Sequence, residues 1–456
     1  MKRKFLFFEV LLAAQVTLKA FLPSVFTWKI SLLSFGALSI LKGLFEGYRL
    51  HWFFFPLAGI LSNLPVPYLP FVAIPAALFP IIYYPLFKHL KPKGSFLPGF
   101  RELWINDVVN ISVYYPTNQK GPDSYQFASK IPPWKNFHDS VKLQKSKLPL
   151  WYAQIGLSYL KHWKLGVNTN TPIVPQFSPE RRAFPVIVFS HGMATGRNDY
   201  SFYLKELASR GYIIVSPDHS DIVYPPSGEY MDFPHRNIDL RKRLADLQTV
   251  LNFVHDPHGL KKLFDSENIE IDLNRVSAMG HSFGAGSATY LTFNDQRITG
   301  ACINLDPWYF AIEESAYKEI NRPLLTLTTK AFGELLPENK KAAKKLAKMN
   351  ENYINQTLVG HFEQAFHNNM ADNGFFMPRE LEEQKGLGPV GLIKKHFRNH
   401  SAVVESFLEV MVVEREDGVT KTKEDVWERV KTKKYFPEVK FIEEDLDASD
   451  DVKPKL

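Results

Sequence analysis

Short runs of apolar, often β-branched residues recur through the middle of the chain, and they constrain its fold more than any other feature. The runs are FPVIVFS (184–190), YIIVSPD (212–218), RVSAMG (275–280), ITGACINL (298–305), PLLTLTT (323–329) and QTLVG (356–360). Helical patterns, such as residues 203–210 and 237–254, lie between several of them. Strands that are apolar along almost their whole length are typical of a mainly parallel sheet with helices on both faces. The sequence therefore predicts an α/β domain.

Residues 1–95 differ in composition from the rest of the chain. The stretch 52–87 contains no Asp, Glu, Lys or Arg and is longer than the ~20 residues that one membrane-spanning helix needs. We therefore predict an integral membrane protein with an N-terminal membrane region of two to four segments. A cleaved signal peptide is the alternative interpretation of the basic, apolar N-terminus. The remainder divides into a predicted catalytic domain, 96–413, and a charged, flexible tail, 414–456.

Charge and cysteine content exclude several classes of protein. The chain has 456 residues and a formal net charge of +7, and its basic residues occur in scattered clusters. This pattern argues against the dense basic face of a nucleic-acid-binding protein and weakly favours contact with an anionic membrane bilayer. The lone cysteine, Cys302, excludes an internal disulfide framework and a thiolate metal cluster.

One serine lies in a motif that indicates nucleophilic catalysis. The run Gly280-His281-Ser282-Phe283-Gly284 fits G-x-S-x-G, with an apolar strand before it and a small-residue helix after it. In the α/β-hydrolase fold this strand, turn and helix form a nucleophile elbow. The glycines are needed because the turn is strained and because the strand and helix pass close to each other. The alternative is an ordinary glycine-rich turn.

A serine nucleophile requires a downstream acid and base in the order Ser, acid, His. Asp306 ends the strand that follows the nucleophile helix and is the predicted acid, with Glu334 as a less favoured substitute. Two histidines remain as candidates for the base. His361 directly ends the run QTLVG, whereas His367 opens HNNMAD, where a loop can fold back over the same edge of the sheet.

An acyl-transfer site also needs N–H donors for the oxyanion of its tetrahedral intermediate. The backbone N–H of Phe283 follows the nucleophile, and the turn after strand 184–190 supplies a second donor, the N–H of Met193. Gly192 lets that backbone approach, and His191 is interpreted as a residue that stabilises the turn. No metal or organic cofactor is indicated, since the histidines do not fall in ligand spacing.

These motifs resemble the platelet-activating-factor acetylhydrolase family of the plasma and intracellular serine-esterase type. The similar segments are ISVYYPT (111–117), PVIVFSHGMATGRNDYS (185–201), ASRGYIIVSPDH (208–219), GHSFGAG (280–286), INLDPW (303–308) and HNNMAD (367–372). The resemblance implies a triad of Ser282, Asp306 and His367 and backbone donors at Met193 and Phe283. It also implies calcium-independent hydrolysis of short or oxidised sn-2 acyl groups of phospholipids.

Two features depart from the family pattern. The stretch 360–367 is a few residues longer than usual, and the plasma enzyme has no counterpart of the predicted membrane region or tail. The alternatives are a general lipase or carboxylesterase with the same triad, or a catalytically inactive hydrolase fold that serves as a membrane scaffold.

Overall fold

The structure is a computed structural model. It describes residues 3–4, 7–22, 28–45, 54–64, 69–83, 86–87, 90–124, 163–179, 181–221, 225, 227, 229, 231–264, 269–372, 390–415, 420–433 and 440–441. The chain divides into two compact units. The first includes residues 1–90, and the second is formed by 91–122, 167–372 and 386–456.

The N-terminal unit is helical. Its elements are β1 (Arg3–Lys4), α1 (Phe7–Phe21), α2 (Trp28–Phe45), α3 (Phe54–Asn63), α4 (Leu69–Tyr83) and β2 (Leu86–Phe87), which pairs antiparallel with β1. Leu12, Phe55 and Ala73 belong to its core. Two charged residues of the apolar segments, Glu9 and Lys42, are buried and form an ion pair of 3.0 Å between α1 and α2. The charges therefore join two helices, because each neutralises the other away from water.

The membrane-spanning segments predicted for residues 1–95 are not supported. The uncharged stretch 52–87 is divided between α3, of 10 residues, and α4, of 15. At 1.5 Å per residue these helices measure ~15 and ~22 Å, short of the ~30 Å of a bilayer's hydrocarbon core. Across the part of the chain that the structure describes, no helix is both long and apolar enough to cross a membrane.

The second unit is built on a ten-stranded sheet. Its strands are β3 (Leu97–Ile105), β4 (Val109–Thr117), β5 (Asn168–Thr169), β6 (Phe184–Ser190), β7 (Ile213–Pro217), β8 (Ile271–His281), β9 (Cys302–Leu305), β10 (Leu324–Thr329), β11 (Thr357–Phe362) and β12 (Lys440–Phe441). They lie in the order β12-β11-β10-β9-β8-β6-β7-β4-β3-β5. The adjacent strands β11, β10, β9, β8, β6 and β7 run parallel to one another. At the two ends of this parallel group, β12 pairs antiparallel with β11 and β4 pairs antiparallel with β7. The predicted α/β class and mainly parallel sheet are confirmed, and each of the apolar runs forms a strand.

Helices connect and cover these strands. They are α5 (Ser201–Ala208), α6 (Phe233–His255), α7 (Gly259–Leu263), α8 (Phe283–Asn294), α9 (Lys330–Leu335), α10 (Pro337–Met349), α11 (Val390–Leu408) and α12 (Lys423–Thr432). Short 3₁₀ helices occupy Glu314–Ala316, Glu351–Gln356 and His367–Met370, and a π-helix occupies Glu409–Val413. Val186, Val276 and Leu251 lie in one large apolar core, which also joins α6 and α8 to the sheet. Strands β6, β7, β9 and β10 are buried along their whole length.

Part of the segment predicted as a charged tail is helical. In α12, Val426 and Val430 are buried one turn apart, and Arg429 pairs with Glu409 and Glu414. The pairing of apolar positions four residues apart explains why this charged stretch forms a helix with one covered face. Apart from 414–415, 420–433 and 440–441, the predicted tail lies outside the described residues.

Candidate active site

The predicted site residues follow the carboxyl ends of neighbouring parallel strands. The turn with Gly192 and Met193 follows β6, Ser282 follows β8, and Asp306 follows β9. His367 comes five residues after the end of β11. Because parallel strands end at the same edge of a sheet, residues far apart in the sequence meet there.

Ser282 lies in a strained turn between β8 and α8. Its φ of 56° and ψ of −124° fall in a region that residues with a side chain rarely adopt. A Cβ on Gly280 would lie 2.2 Å from the Gly284 carbonyl oxygen, and one on Gly284 would lie 2.1 Å from that of Ser190. Both positions therefore require glycine, as the motif predicted.

The structure brings Ser282, His367 and Asp306 into one hydrogen-bonded chain. Nε2 of His367 lies 2.9 Å from Oγ of Ser282, and Nδ1 of His367 lies 2.7 Å from Oδ2 of Asp306. Asp306 is 1% exposed. A carboxylate only accepts, so Nδ1 carries the imidazole proton, and Nε2 is the acceptor for the serine hydroxyl. This arrangement can remove the proton of Ser282 as the hydroxyl attacks.

The two alternatives from the sequence lie elsewhere. His361 is within β11, where its Nδ1 lies 3.0 Å from Oγ1 of Thr328 on the neighbouring strand. Glu334 is exposed on α9. The loop after β11 folds back over the edge of the sheet, and this return places His367 against Ser282.

Thr329 orients the Asp306 carboxylate. Its backbone N–H donates to Oδ1 at 2.8 Å, and its hydroxyl donates to Oδ2 at 2.7 Å. Thr329 is the last residue of β10, the strand next to β9, so the sheet itself holds the donor in place. No motif pointed to this threonine, because its role depends on the pairing of two strands.

We expect Thr329→Val to lower kcat for ester hydrolysis by roughly tenfold. Valine keeps the shape and the backbone donor but removes the hydroxyl that holds Oδ2, so that Asp306 orients the imidazole less well. Thr328→Val is the matched control, because Thr328 contacts His361 instead. Steady-state kinetics on both variants measure the effect, and equal activities for the two would contradict this role.

Two aromatic rings hold the His367 imidazole. The Phe332 ring stacks on it at a centroid distance of 3.7 Å, and the His281 ring lies 4.5 Å away on centroids. His281 Nε2 also donates to the backbone carbonyl of His367 at 3.0 Å, while its Nδ1 lies 2.8 Å from the Tyr200 hydroxyl. Burial lowers the pKa of His281 well below its ordinary value, so this imidazole stays neutral near pH 7. His281 occupied a variable position of the motif, and its contacts only became visible in three dimensions.

The loop that carries His367 is anchored at Asp372. The Asp372 carboxylate accepts hydrogen bonds from the backbone N–H groups of Ser201 (2.8 Å) and Phe202 (3.2 Å), at the start of α5. Its own N–H donates to the Asp199 carbonyl at 2.7 Å. A carboxylate at a helix N-terminus satisfies donors that have no partner within the helix. This contact gives a physical reason for the aspartate five residues after His367.

The turn after β6 passes directly beside the nucleophile. A Cβ on Gly192 would lie 2.7 Å from the Tyr200 hydroxyl oxygen and 3.5 Å from Cβ of Ser282. The N–H of Gly192 donates to Tyr200 Oη at 3.0 Å. Met193 is the next residue after Gly192, and Phe283 is the first residue of α8 and directly follows Ser282; their role as oxyanion donors stays a prediction. Within the described residues, no group of three His, Cys, Asp or Glu could hold a metal ion.

A sequence model of the family described as platelet-activating factor acetylhydrolase, isoform II, matches residues 91–227 and 229–387. The match covers both strands of the β3–β4 hairpin and all the site residues named above. The chain belongs to this family.

Individual relatives are more distant. A platelet-activating factor acetylhydrolase from Canis lupus familiaris is 26% identical over 320 residues, which cover 62% of this chain and 68% of the dog protein. One from Bos taurus is 29% identical over 33% of this chain and 40% of the bovine protein. A chloroplastic chlorophyllase-1 from Citrus unshiu is 30% identical over 30% of this chain and 36% of its own length.

A solved structure shares the fold. The ferulic acid esterase from Streptomyces cinnamoneus superposes with a TM-score of 0.53, at 19% identity, over 77% of this chain and 98% of that chain. The likeness agrees with the mainly parallel sheet and the strand-turn-helix arrangement around Ser282, which are typical of the α/β-hydrolase fold.

Proposed function

We propose that this protein is a serine ester hydrolase that acts through an acyl-Ser282 intermediate. The observation that carries the proposal is the chain of hydrogen bonds from Ser282 Oγ through His367 to Asp306. His367 takes the hydroxyl proton while Oγ bonds to the ester carbonyl carbon. The resulting imidazolium returns this proton to the leaving alcohol oxygen as the ester C–O bond breaks. Water then attacks the acyl-enzyme with His367 again as the base, which releases the acid and restores the serine.

The oxyanion of each tetrahedral intermediate is bound by the backbone N–H groups of Phe283 and Met193. The closeness of Gly192 to Ser282 and the position of Phe283 at the start of α8 support this assignment. The helix N-terminus adds a favourable field for negative charge. A donor of this kind typically contributes about 3 kcal/mol to the transition state.

The substrate we infer is a phospholipid with a short sn-2 acyl group, such as platelet-activating factor. Membership of the family supports this assignment, and so does the name of the canine relative. Two aromatic residues lie close to the nucleophile in the chain of contacts: the backbone N–H of Trp308 donates to the Ser282 carbonyl at 2.9 Å, and the Trp308 ring stacks on Phe310 with 5.6 Å between centroids. The resemblance to a chlorophyllase supports the alternative of a general carboxylesterase. Contact with a membrane bilayer, which the sequence predicted, stays a prediction.

A panel of esters tests the proposal. We expect kcat/KM for 1-alkyl-2-acetylglycerophosphocholine to exceed that for the analogue with a long sn-2 chain by roughly tenfold or more, because a short acyl pocket excludes the longer chain. A calcium chelator should leave both rates unchanged. Fast hydrolysis of p-nitrophenyl acetate with no phospholipid hydrolysis would favour a general esterase. If the protein hydrolyses none of these esters and does not react with a fluorophosphonate, it is an inactive scaffold.

A further inference from the structure

A buried arginine lies behind the turn that contains Met193. Arg243 is in the middle of α6, its side chain is 0% exposed, and Nε donates to both Asp221 carboxylate oxygens at 3.0 and 3.1 Å. A second contact to Asp221, through Nη2, completes a two-pronged ion pair. Such pairing fixes the plane of the guanidinium, so the remaining N–H groups point in defined directions.

Those N–H groups point at the backbone of the turn. Nη1 donates to the His191 carbonyl at 2.5 Å, and Nη2 lies 3.4 Å from the Gly192 carbonyl oxygen. The charged centre of Arg243 also lies 4.7 Å from the ring centroid of Phe283. One buried cation therefore contacts both segments that carry the proposed oxyanion donors.

The Gly192 carbonyl is held by two further donors. The Thr195 hydroxyl donates to it at 2.8 Å, and Nδ1 of His191 donates at 2.7 Å. This tautomer of His191 follows from its other nitrogen, Nε2, which accepts the N–H of His219 at 3.0 Å. Burial, reinforced by the neighbouring Arg243, lowers the pKa of His191 to about 4, so the ring is neutral near pH 7.

The carbonyl of Gly192 and the N–H of Met193 belong to the same planar peptide group. In a trans peptide these two bonds point in opposite directions, and the structure has no cis peptide among its described residues. The donors that bind the Gly192 carbonyl oxygen keep it directed toward Arg243. The Met193 N–H therefore points away from Arg243. A cation at the carbonyl oxygen also withdraws electron density from the peptide, which strengthens its N–H as a donor.

We propose that Arg243 is a positioning residue of the oxyanion hole, which aims and polarises the Met193 N–H through the Gly192 carbonyl. This inference rests on the proposed ester hydrolysis at Ser282. Arg243 does not touch the reacting atoms, so its contribution arises only when negative charge develops on the substrate oxygen.

Affinities for two matched ketones isolate that contribution. A hexyl trifluoromethyl ketone adds to a serine nucleophile and forms an oxyanion, whereas hexyl methyl ketone binds as the neutral carbonyl. We expect Arg243→Gln to weaken binding of the trifluoromethyl ketone by roughly 30-fold to 100-fold and to change methyl ketone binding by less than about threefold, because an oxyanion donor acts on the charged state alone. The kcat for a short acyl ester should fall in parallel, with a nearly constant KM.

Two further variants keep the test decisive. The double variant Asp221→Asn, Arg243→Gln removes both charges and therefore leaves no unpaired buried carboxylate. It replaces the single variant if that variant does not fold. We expect it to show the same decrease in the affinity for the trifluoromethyl ketone relative to that for the methyl ketone. Arg275→Gln is the matched control, because Arg275 likewise binds one carboxylate, Asp272, and two main-chain carbonyls, those of Val412 and Arg415. Arg275→Gln should leave the ratio of the two ketone affinities at the wild-type value.

The outcomes separate the two proposals. If the wild-type protein neither hydrolyses esters nor binds the trifluoromethyl ketone, the proposed function is wrong. If the wild-type protein is active and the double variant retains the wild-type ratio of the two affinities, the role of Arg243 is wrong. A parallel loss of both affinities, matched by Arg275→Gln, would assign Arg243 a purely structural role.

Discussion

Ser282→Ala should lower ester turnover by roughly a thousandfold or more and abolish labelling by a fluorophosphonate. The loss is large because no other described group lies in the same contact with His367, so the acyl intermediate cannot form. What remains is the catalysis that the backbone donors and substrate binding provide without a nucleophile.

The variant should fold normally. Alanine keeps the Cβ of serine, so the unusual φ of 56° imposes a similar strain on both residues. Thermal unfolding should therefore be close to that of the wild type, and mass spectrometry of the labelled wild-type protein should identify a peptide that contains Ser282. Near-normal turnover by the folded variant would remove Ser282 from the mechanism.

His367→Ala should have an effect of similar size, whereas His361→Ala should keep at least about a tenth of the activity. His367 is the histidine that contacts both Ser282 Oγ and Asp306, and without it the serine has no base. His361 contributes to the pairing of β11 with β10 through Thr328, so its loss should act mainly on stability.

Each of the two histidine variants is the control for the other. Both remove an imidazole from segments that directly follow one another, and both can be compared by kcat, by fluorophosphonate labelling of Ser282 and by thermal unfolding. An inactive His361→Ala together with an active His367→Ala would show that the loop after β11 adopts another arrangement and that His361 is the base.

Local sequence was sufficient for the parts of the fold that depend on local chemistry. The apolar runs are strands because each is hydrophobic enough to be buried on both faces, and that property can be read from a few consecutive residues. The turn around Ser282 was likewise predictable, since only glycine fits against the neighbouring backbone at positions 280 and 284. Asp306 was predictable at the same edge of the sheet as Ser282, because it directly follows strand β9.

The N-terminal unit shows a property that composition alone does not give, the length of each helix. An uncharged stretch of residues 52–87 indicated a membrane span, but the helices described within it are shorter, with 10 residues in α3 and 15 in α4. Glu9 and Lys42 are charged residues in the apolar helices α1 and α2. In the structure they cancel each other, because the packing of α1 against α2 brings them together.

The sequence by itself determined the parallel sheet, the strained turn at Ser282 and the acid at the end of β9, because each of these follows from consecutive residues and from the rule that parallel strands end at one edge. From the residues alone two histidines stayed open, and the family resemblance implied His367. Only the tertiary structure showed that His367 contacts Ser282, since that depends on a loop whose anchor, Asp372, binds the start of a distant helix. The same holds for Thr329, His281 and Arg243. Their hydrogen bonds join residues that are between 22 and 86 positions apart, and no pattern of neighbouring residues carries information about contacts over such separations.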